Sequence, residues 1–112
     1  MHIALYENNL LWSVRLQRAA IQLGHTCTIM QEPDLPAVMP HLAIINLSVE
    51  KFVDAELIAE LKSAGSTVVG HAGHSEKLLH HQGRDAHIDH LVTNGALAND
   101  LPSVLALVPT EE

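Results

Sequence analysis

The feature that most constrains the fold is the regular alternation of short apolar segments with longer amphipathic ones. The short segments end in polar residues or glycine, as buried strands do. The longer segments place apolar residues at three- to four-residue spacing, as helices do. We predict strands at 3–6, 25–30, 42–45, 67–70 and 88–92. We predict helices at about 9–23, 52–64 and 75–82, with a last one starting near Asn99–Asp100.

Strands that alternate with helices imply a parallel sheet with helices on both faces, because right-handed crossovers place them there. We therefore predict an α/β fold for one domain of residues 1–112, with a frayed tail at 109–112. The working site of such a sheet lies at the carboxyl ends of its strands. In this sequence those ends carry polar residues, namely Glu7, Asn8, Asn46, the segment 70–74, Thr93 and Asn94.

The charge balance excludes some classes of partner. Thirteen Asp and Glu against six Lys and Arg give a formal charge of −7, whereas nucleic-acid binding needs a field of cations. No apolar run approaches the roughly 20 residues of a membrane helix, and the first residues lack the features of a signal peptide. We predict a cytoplasmic protein with no nucleic-acid or membrane partner. Cys27 is the single cysteine, which excludes an internal disulfide and predicts a buried small hydrophobe.

Three segments resemble the receiver domain of two-component response regulators. IALYENN (3–9) is similar to the first receiver strand with its acidic pair, and MPHLAIINL (39–47) to the strand that ends in the phospho-accepting aspartate. AHIDHLVTNGA (86–96) is similar to the strand that ends in a lysine–proline step. The resemblance spans nearly the whole chain and implies a flavodoxin-like three-layer sandwich with a five-stranded parallel sheet in the order 2-1-3-4-5, as in chemotaxis regulators.

The connection between the second and third strands departs from the family. Eleven residues separate Met30 from Leu42, and three of them are proline. Proline disfavours helix interiors, so at most one helical turn fits here. The family's second helix is therefore predicted to be shortened or missing.

The chemistry of the family is absent at the matching positions. Of the acidic pair that holds Mg²⁺, Glu7 is acidic but its neighbour is Asn8. The phospho-acceptor position is Asn46, the position of the signalling Ser or Thr falls on Ala72, and the lysine position falls on Asn94. Phosphoryl transfer to a carboxylate needs an ionised nucleophile, a divalent cation and a further cation for the developing charge. The resemblance therefore implies a degenerate pseudo-receiver that needs no cofactor.

We accordingly predict a non-enzymatic signalling domain that binds a protein partner, or a second copy of itself, without aspartate phosphorylation. In receivers a common docking surface is formed by the fourth helix, the fifth strand and the fifth helix. In that region the position of the family's rotamer-switching aromatic is occupied by Leu91. The interface candidates are His80, His81, His87, His90 and Leu91.

Six of the nine histidines lie within twenty residues: His71, His74, His80, His81, His87 and His90. Imidazole is the commonest metal ligand, so the alternative function is a small metal- or ligand-binding protein that uses segment 71–90. Candidate ligands are His71, His74 and His90. No spacing matches a strong motif such as HExxH, and two further interpretations remain, solvated surface histidines and a pH-sensitive contact surface.

A remnant of the phosphorylation site is a second place for ligand chemistry. Glu7 with Asn46 and Asn94 is compatible with a pocket for a small polar ligand or with acid–base work. The alternative is a hydrogen-bonded polar network that fills the former phosphate site.

Trp12 falls on the apolar side of the first predicted helix, where packing is the simplest role and exposure would indicate an interface.

Overall fold

Five strands and five helices occupy residues 1–109, which are the part of the chain described by a computed structural model. In chain order they are β1 (His2–Tyr6), α1 (Leu10–Gln22), β2 (Thr26–Met30), β3 (Leu42–Asn46), α2 (Ala55–Ser63), β4 (Thr67–Ala72), α3 (Lys77–Asp85), β5 (His90–Thr93), α4 (Asn94–Asn99) and α5 (Leu101–Leu105). A 3₁₀ turn at Glu50–Phe52 precedes α2. Most of the predicted frayed tail, residues 110–112, lies outside the described residues.

The strands form one parallel sheet in the order β2-β1-β3-β4-β5, which confirms the predicted topology. The central strand β3 is buried from Leu42 to Ile45, as expected for a parallel strand covered on both faces. One face packs against α2 through residues such as Leu57 and Leu61. The other face packs against α1, α4 and α5 through residues such as Leu16 and Leu97. The result is the predicted three-layer sandwich.

The connection from β2 to β3 contains no helix within residues 31–41, as predicted from its prolines. This segment is tied to the sheet by the Tyr6 hydroxyl, which donates a hydrogen bond of 2.7 Å to the carbonyl oxygen of Asp34. Burial, with a smaller effect of the Asp34 charge, raises the pKa of Tyr6 to about 12. Tyr6 therefore stays neutral and keeps this hydrogen bond across the physiological pH range.

The end of the chain differs from the prediction. The strand starts at His90 and not at residue 88, because Ile88 still belongs to a turn in which its N–H donates to the carbonyl of Gly83. The predicted last helix, starting near Asn99–Asp100, corresponds to α5, and the helix before it, α4, was not predicted. The side chain of Thr93 caps α4 by accepting the N–H of Ala96. This helix ends before Pro102, which has no N–H to continue it.

Candidate functional site

A polar pocket of about 250 Å³ lies at the carboxyl ends of β1, β3 and β4. Its walls come from the ends of these strands, the first turn of α1 and the start of α4. The lining residues are Glu7, Asn9, Trp12, Asn46, Ser48, His71 and Asn94. Three residues predicted to form a remnant site, Glu7, Asn46 and Asn94, are thus brought together.

Glu7 is the only Asp, Glu, Lys or Arg among the residues that line the pocket. Its side chain is buried, with 1% of the residue exposed. One carboxylate oxygen, Oε2, accepts the backbone N–H groups of Asn8 and Asn9 at 2.9 and 3.0 Å. The amide Nδ2 of Asn46 donates to Oε1 at 2.8 Å and to Oε2 at 3.1 Å. These donors replace the water that burial removes, which is why the carboxylate is tolerated here.

The amide of Asn46 is engaged at both ends. While its Nδ2 donates to Glu7, its Oδ1 accepts the backbone N–H of Ser48 at 2.9 Å and the Ser48 hydroxyl at 2.6 Å. A carboxylate only accepts and a backbone N–H only donates, so these partners fix the orientation of the amide. Asn46 is therefore a bridge between the ends of β1 and β3.

The residue that faces the pocket from β4 is His71, which corrects the prediction for Ala72. The sheet register pairs Asn46 with His71. Ala72 is 2% exposed and packs in the core cluster on the α2 side of the sheet. Successive residues of a strand point to opposite faces, so an assignment that is one residue off moves the side chain out of the site.

His71 is buried against Trp12 and polar partners. It is 1% exposed, and its ring centroid lies 4.9 Å from that of Trp12 at an interplanar angle of 38°. Its Nδ1 lies 2.7 Å from Oδ1 of Asn94, and its Nε2 lies 3.9 Å from Oε1 of Glu7. Burial lowers the pKa of His71, although the hydrogen bond to Asn94 and the charge of Glu7 act in the opposite direction. We conclude that His71 is neutral at pH 7.

The lowered pKa of His71 predicts a loss of stability in mild acid. Below about 6.5 the unfolded chain binds a proton at residue 71 more tightly than the folded protein does, so the free energy of unfolding falls with pH. The stabilisation is therefore complete above the pKa that His71 has in the unfolded chain. It is lost as the pH falls toward the lower pKa of His71 in the folded protein. Urea unfolding of wild type and His71→Phe between pH 7.5 and 5 measures this effect, and the variant is expected to show the flatter profile.

The control for this experiment is His74→Gln, because His74 is exposed and lies outside the pocket. It should keep the wild-type profile. Equal pH profiles for wild type and His71→Phe would contradict the assigned role of burial.

The histidines do not form a metal-binding cluster among the described residues. Within residues 1–109 no group of three or more His, Cys, Asp or Glu side chains is arranged to hold an ion. The candidate ligands His74 and His90 are exposed, while His71 is buried. The interface candidates differ among themselves: His81 and His87 are exposed, and His80 is half-buried, with its Nε2 3.2 Å from the carbonyl oxygen of Gly73.

Two other predicted residues lie at the margin of the site. Asn8 is exposed and does not line the pocket, although its backbone N–H supports Glu7. Leu91 is half-buried and turns partly inward, since a Cβ added at Gly83 would lie 2.7 Å from its Cδ2.

Burial raises the pKa of Cys27 to about 11, which makes this thiol a poor nucleophile.

Sequence reasoning missed Trp12, Asn9 and Ser48 as parts of the pocket. Helical spacing alone assigns Trp12 to packing, and it does pack, but against His71 at the pocket wall. The usable signal was its place in the first turn of the helix that follows β1, where Oδ1 of Asn9 caps the helix by accepting the Trp12 N–H.

No protein-family model and no curated protein sequence matches this chain. Solved structures do match it. A response regulator receiver protein from Burkholderia phymatum is 11% identical, with a TM-score of 0.76 over 96% of this chain and 94% of that one. A response regulator protein from Burkholderia pseudomallei with a phosphorylated aspartic acid, a calcium ion and citrate is 17% identical, with a TM-score of 0.75 over 97% of this chain and 66% of that one.

A third similar structure comes from a family of redox sensors in the streptococci that evolved from two-component response regulators. It is 10% identical, with a TM-score of 0.75 over 96% of this chain and 50% of that one. Together with the observed strand order, these matches decide the architecture. The chain has the receiver fold. At this low identity the likeness concerns the fold, so the chemistry of the receiver-fold pocket has to be argued from its own residues.

Proposed function

We propose that this receiver-fold chain is a non-enzymatic signalling domain that binds a protein partner, or a second copy of itself, without being phosphorylated on aspartate. The observation that carries the proposal is the closed contact between Asn46 and Glu7, in which one amide donates to both carboxylate oxygens. In the receiver domains that this chain resembles, the position of Asn46 holds the phospho-accepting aspartate. We also propose that the domain acts in the cytoplasm.

The contact bears on phosphorylation in two ways. An amide is not a nucleophile, so Asn46 has no means of accepting a phosphoryl group. Mg²⁺ needs near-octahedral oxygen coordination with charged ligands, whereas this pocket offers one carboxylate whose oxygens already accept four hydrogen bonds. The lining residues also include no Lys or Arg for the developing charge.

Other inputs are compatible with the receiver fold. One of the similar structures belongs to redox sensors that evolved from two-component response regulators. That example supports a receiver-fold domain that responds to something other than phosphate. The raised pKa of Cys27 argues against a thiol as the input in this chain.

We place the binding surface on the face formed by α3, β5 and the C-terminal helices. In this face Leu78 is a large apolar side chain that is 69% exposed. Exposed His81, His87 and His90 follow it in the sequence. Histidine is the residue type whose charge responds to mild acid. Binding through this face should therefore depend on pH between 7.5 and 5.5.

The matched pair Leu78→Glu and Leu11→Glu tests this surface. Leu11 is 84% exposed on α1, across the sheet from α3, so both changes place a charge on an exposed leucine. Sedimentation velocity at pH 7.5 and 5.5 should show self-association that Leu78→Glu abolishes and Leu11→Glu preserves. The reverse pattern would overturn the assigned face. If the wild-type protein stayed monomeric at both pH values, self-association would be excluded. A different protein would then be the proposed partner of this surface.

A further inference from the structure

Two hydrogen-bond acceptors face each other in the pocket without a donor between them. They are Oε1 of Glu7 and Nε2 of His71, 3.9 Å apart, a distance beyond hydrogen-bond length. Both side chains are 1% exposed. Among the described residues His71 Nε2 has no hydrogen-bond partner. Such a buried polar atom without a partner is rare in folded proteins, so Nε2 is a candidate contact for a ligand.

The hydrogen bonds around His71 define the kind of ligand that would fit. An amide oxygen only accepts, so the 2.7 Å contact with Oδ1 of Asn94 places the imidazole proton on Nδ1. The neutral ring then presents a lone pair at Nε2. On Glu7, Oε1 accepts only from Asn46 and keeps a lone pair, whereas Oε2 accepts three hydrogen bonds. The gap is therefore lined by two acceptors and calls for a donor with at least two hydrogens.

We propose that this pocket binds the ammonium group of a small primary amine, which donates one N–H to Oε1 of Glu7 and one to Nε2 of His71. The two acceptors are close enough for a single nitrogen to reach both at ordinary hydrogen-bond length. The proposal goes beyond the function proposed above and does not depend on it, because an amine can bind whether or not a partner is docked.

Charge favours an ammonium over other donors. The Glu7 carboxylate is buried with neutral donors alone, and the lining residues include no Lys or Arg to compensate it. A buried charge gains most from an opposite charge that also hydrogen-bonds. A water molecule fits the same gap but brings no charge. A metal ion would find only two good ligands here, and no group of three is present within residues 1–109.

The rest of the wall suits a small organic cation. Trp12 borders the pocket with an indole ring, a surface that attracts cations and covers alkyl carbons. The volume of about 250 Å³ admits a small amine but not a nucleotide. The formal charge of −7 on the chain adds a general attraction for cations.

The experiment uses ethylammonium as the probe and ethanol as its neutral counterpart. Trp12 is the chain's only tryptophan, so its fluorescence reports directly on the pocket wall. We expect a saturating change with ethylammonium, none with ethanol, and none with sodium chloride at the same ionic strength. The ¹⁵N resonance of His71 Nε2 should shift along the same binding curve.

The variants assign the binding to this gap. Glu7→Gln and His71→Phe should each weaken ethylammonium binding at least tenfold, whereas His74→Gln, outside the pocket, should leave it unchanged. Circular dichroism establishes that each variant is folded, and if Glu7→Gln does not fold, His71→Phe carries the test alone. Binding to wild type should also weaken in mild acid, because protonated His71 presents its own N–H to Glu7, the only other titratable residue lining the pocket.

Three results would overturn the proposal. One is a response to ethylammonium that does not saturate. The second is equal binding of ethanol, which would identify a neutral, water-filled pocket. The third is saturable binding of Zn²⁺ that is lost in His71→Phe while ethylammonium does not bind, which would identify a metal site.

Discussion

Replacing Asn46 by Asp should lower the free energy of unfolding by about 3 kcal/mol at pH 7, as expected when a buried charge loses its hydrogen-bonding partner. The two hydrogen bonds from Nδ2 to Glu7 would be replaced by contacts between two carboxylates. Like charges this close in a buried site repel strongly, and the lining residues provide no cation to separate them. The contact between Oδ1 and Ser48 would survive, since a carboxylate oxygen also accepts.

The loss in Asn46→Asp should be recovered in two ways. Lowering the pH toward 5 should restore stability, because two adjacent carboxylates share a proton that the unfolded chain does not hold there. Adding millimolar Mg²⁺ should also stabilise the variant, because a second carboxylate then faces Glu7 and a cation binds the folded state. Neither treatment should stabilise the wild type to a similar extent.

Urea unfolding measures these effects, with Asn94→Asp as the matched control. Asn94 lines the same pocket but is exposed, and its Oδ1 accepts from His71, a role that a carboxylate retains. We expect the control to stay within about 1 kcal/mol of wild type. If Asn46→Asp also stayed within that range and showed no response to Mg²⁺, the proposed coupling between Asn46 and Glu7 would be incorrect.

The sheet could be predicted from the sequence because its strands are distinctive. Leu42–Ile45 is an uninterrupted aliphatic run, which is typical of a strand covered on both faces. The prolines of the preceding connection, such as Pro33 and Pro40, left room for at most one helical turn. The C-terminal helices were harder, because the break before Pro102 and the cap at Thr93 depend on local hydrogen bonds that periodicity does not detect.

The convergence of Glu7, Asn46 and Asn94 followed from topology, since the carboxyl ends of neighbouring parallel strands meet at one edge. The role of His71 did not follow. Assigning that position to Ala72 was an error of one residue, and in a strand one residue decides which face a side chain occupies. The burial of His71 against Trp12 depends on the approach of α1 to β4, a contact between distant parts of the sequence.

We propose that this receiver-fold pocket does not accept phosphate on Asn46, the residue that ends β3. Phosphoryl transfer would require a carboxylate nucleophile, whereas Asn46 presents an amide held by Glu7 and Ser48. Removing a nucleophile does not slow such a reaction modestly but abolishes it at that position. The expected effect is therefore all or none.

The most direct measurement is the intact mass of the protein after incubation with acetyl phosphate and Mg²⁺, followed by peptide mapping. The wild type should keep its mass, while a regulator known to accept phosphate, treated in parallel, shows that the reagent is active. A mass increase of one phosphoryl group that maps to an Asp or Glu of this chain would contradict a function without aspartate phosphorylation.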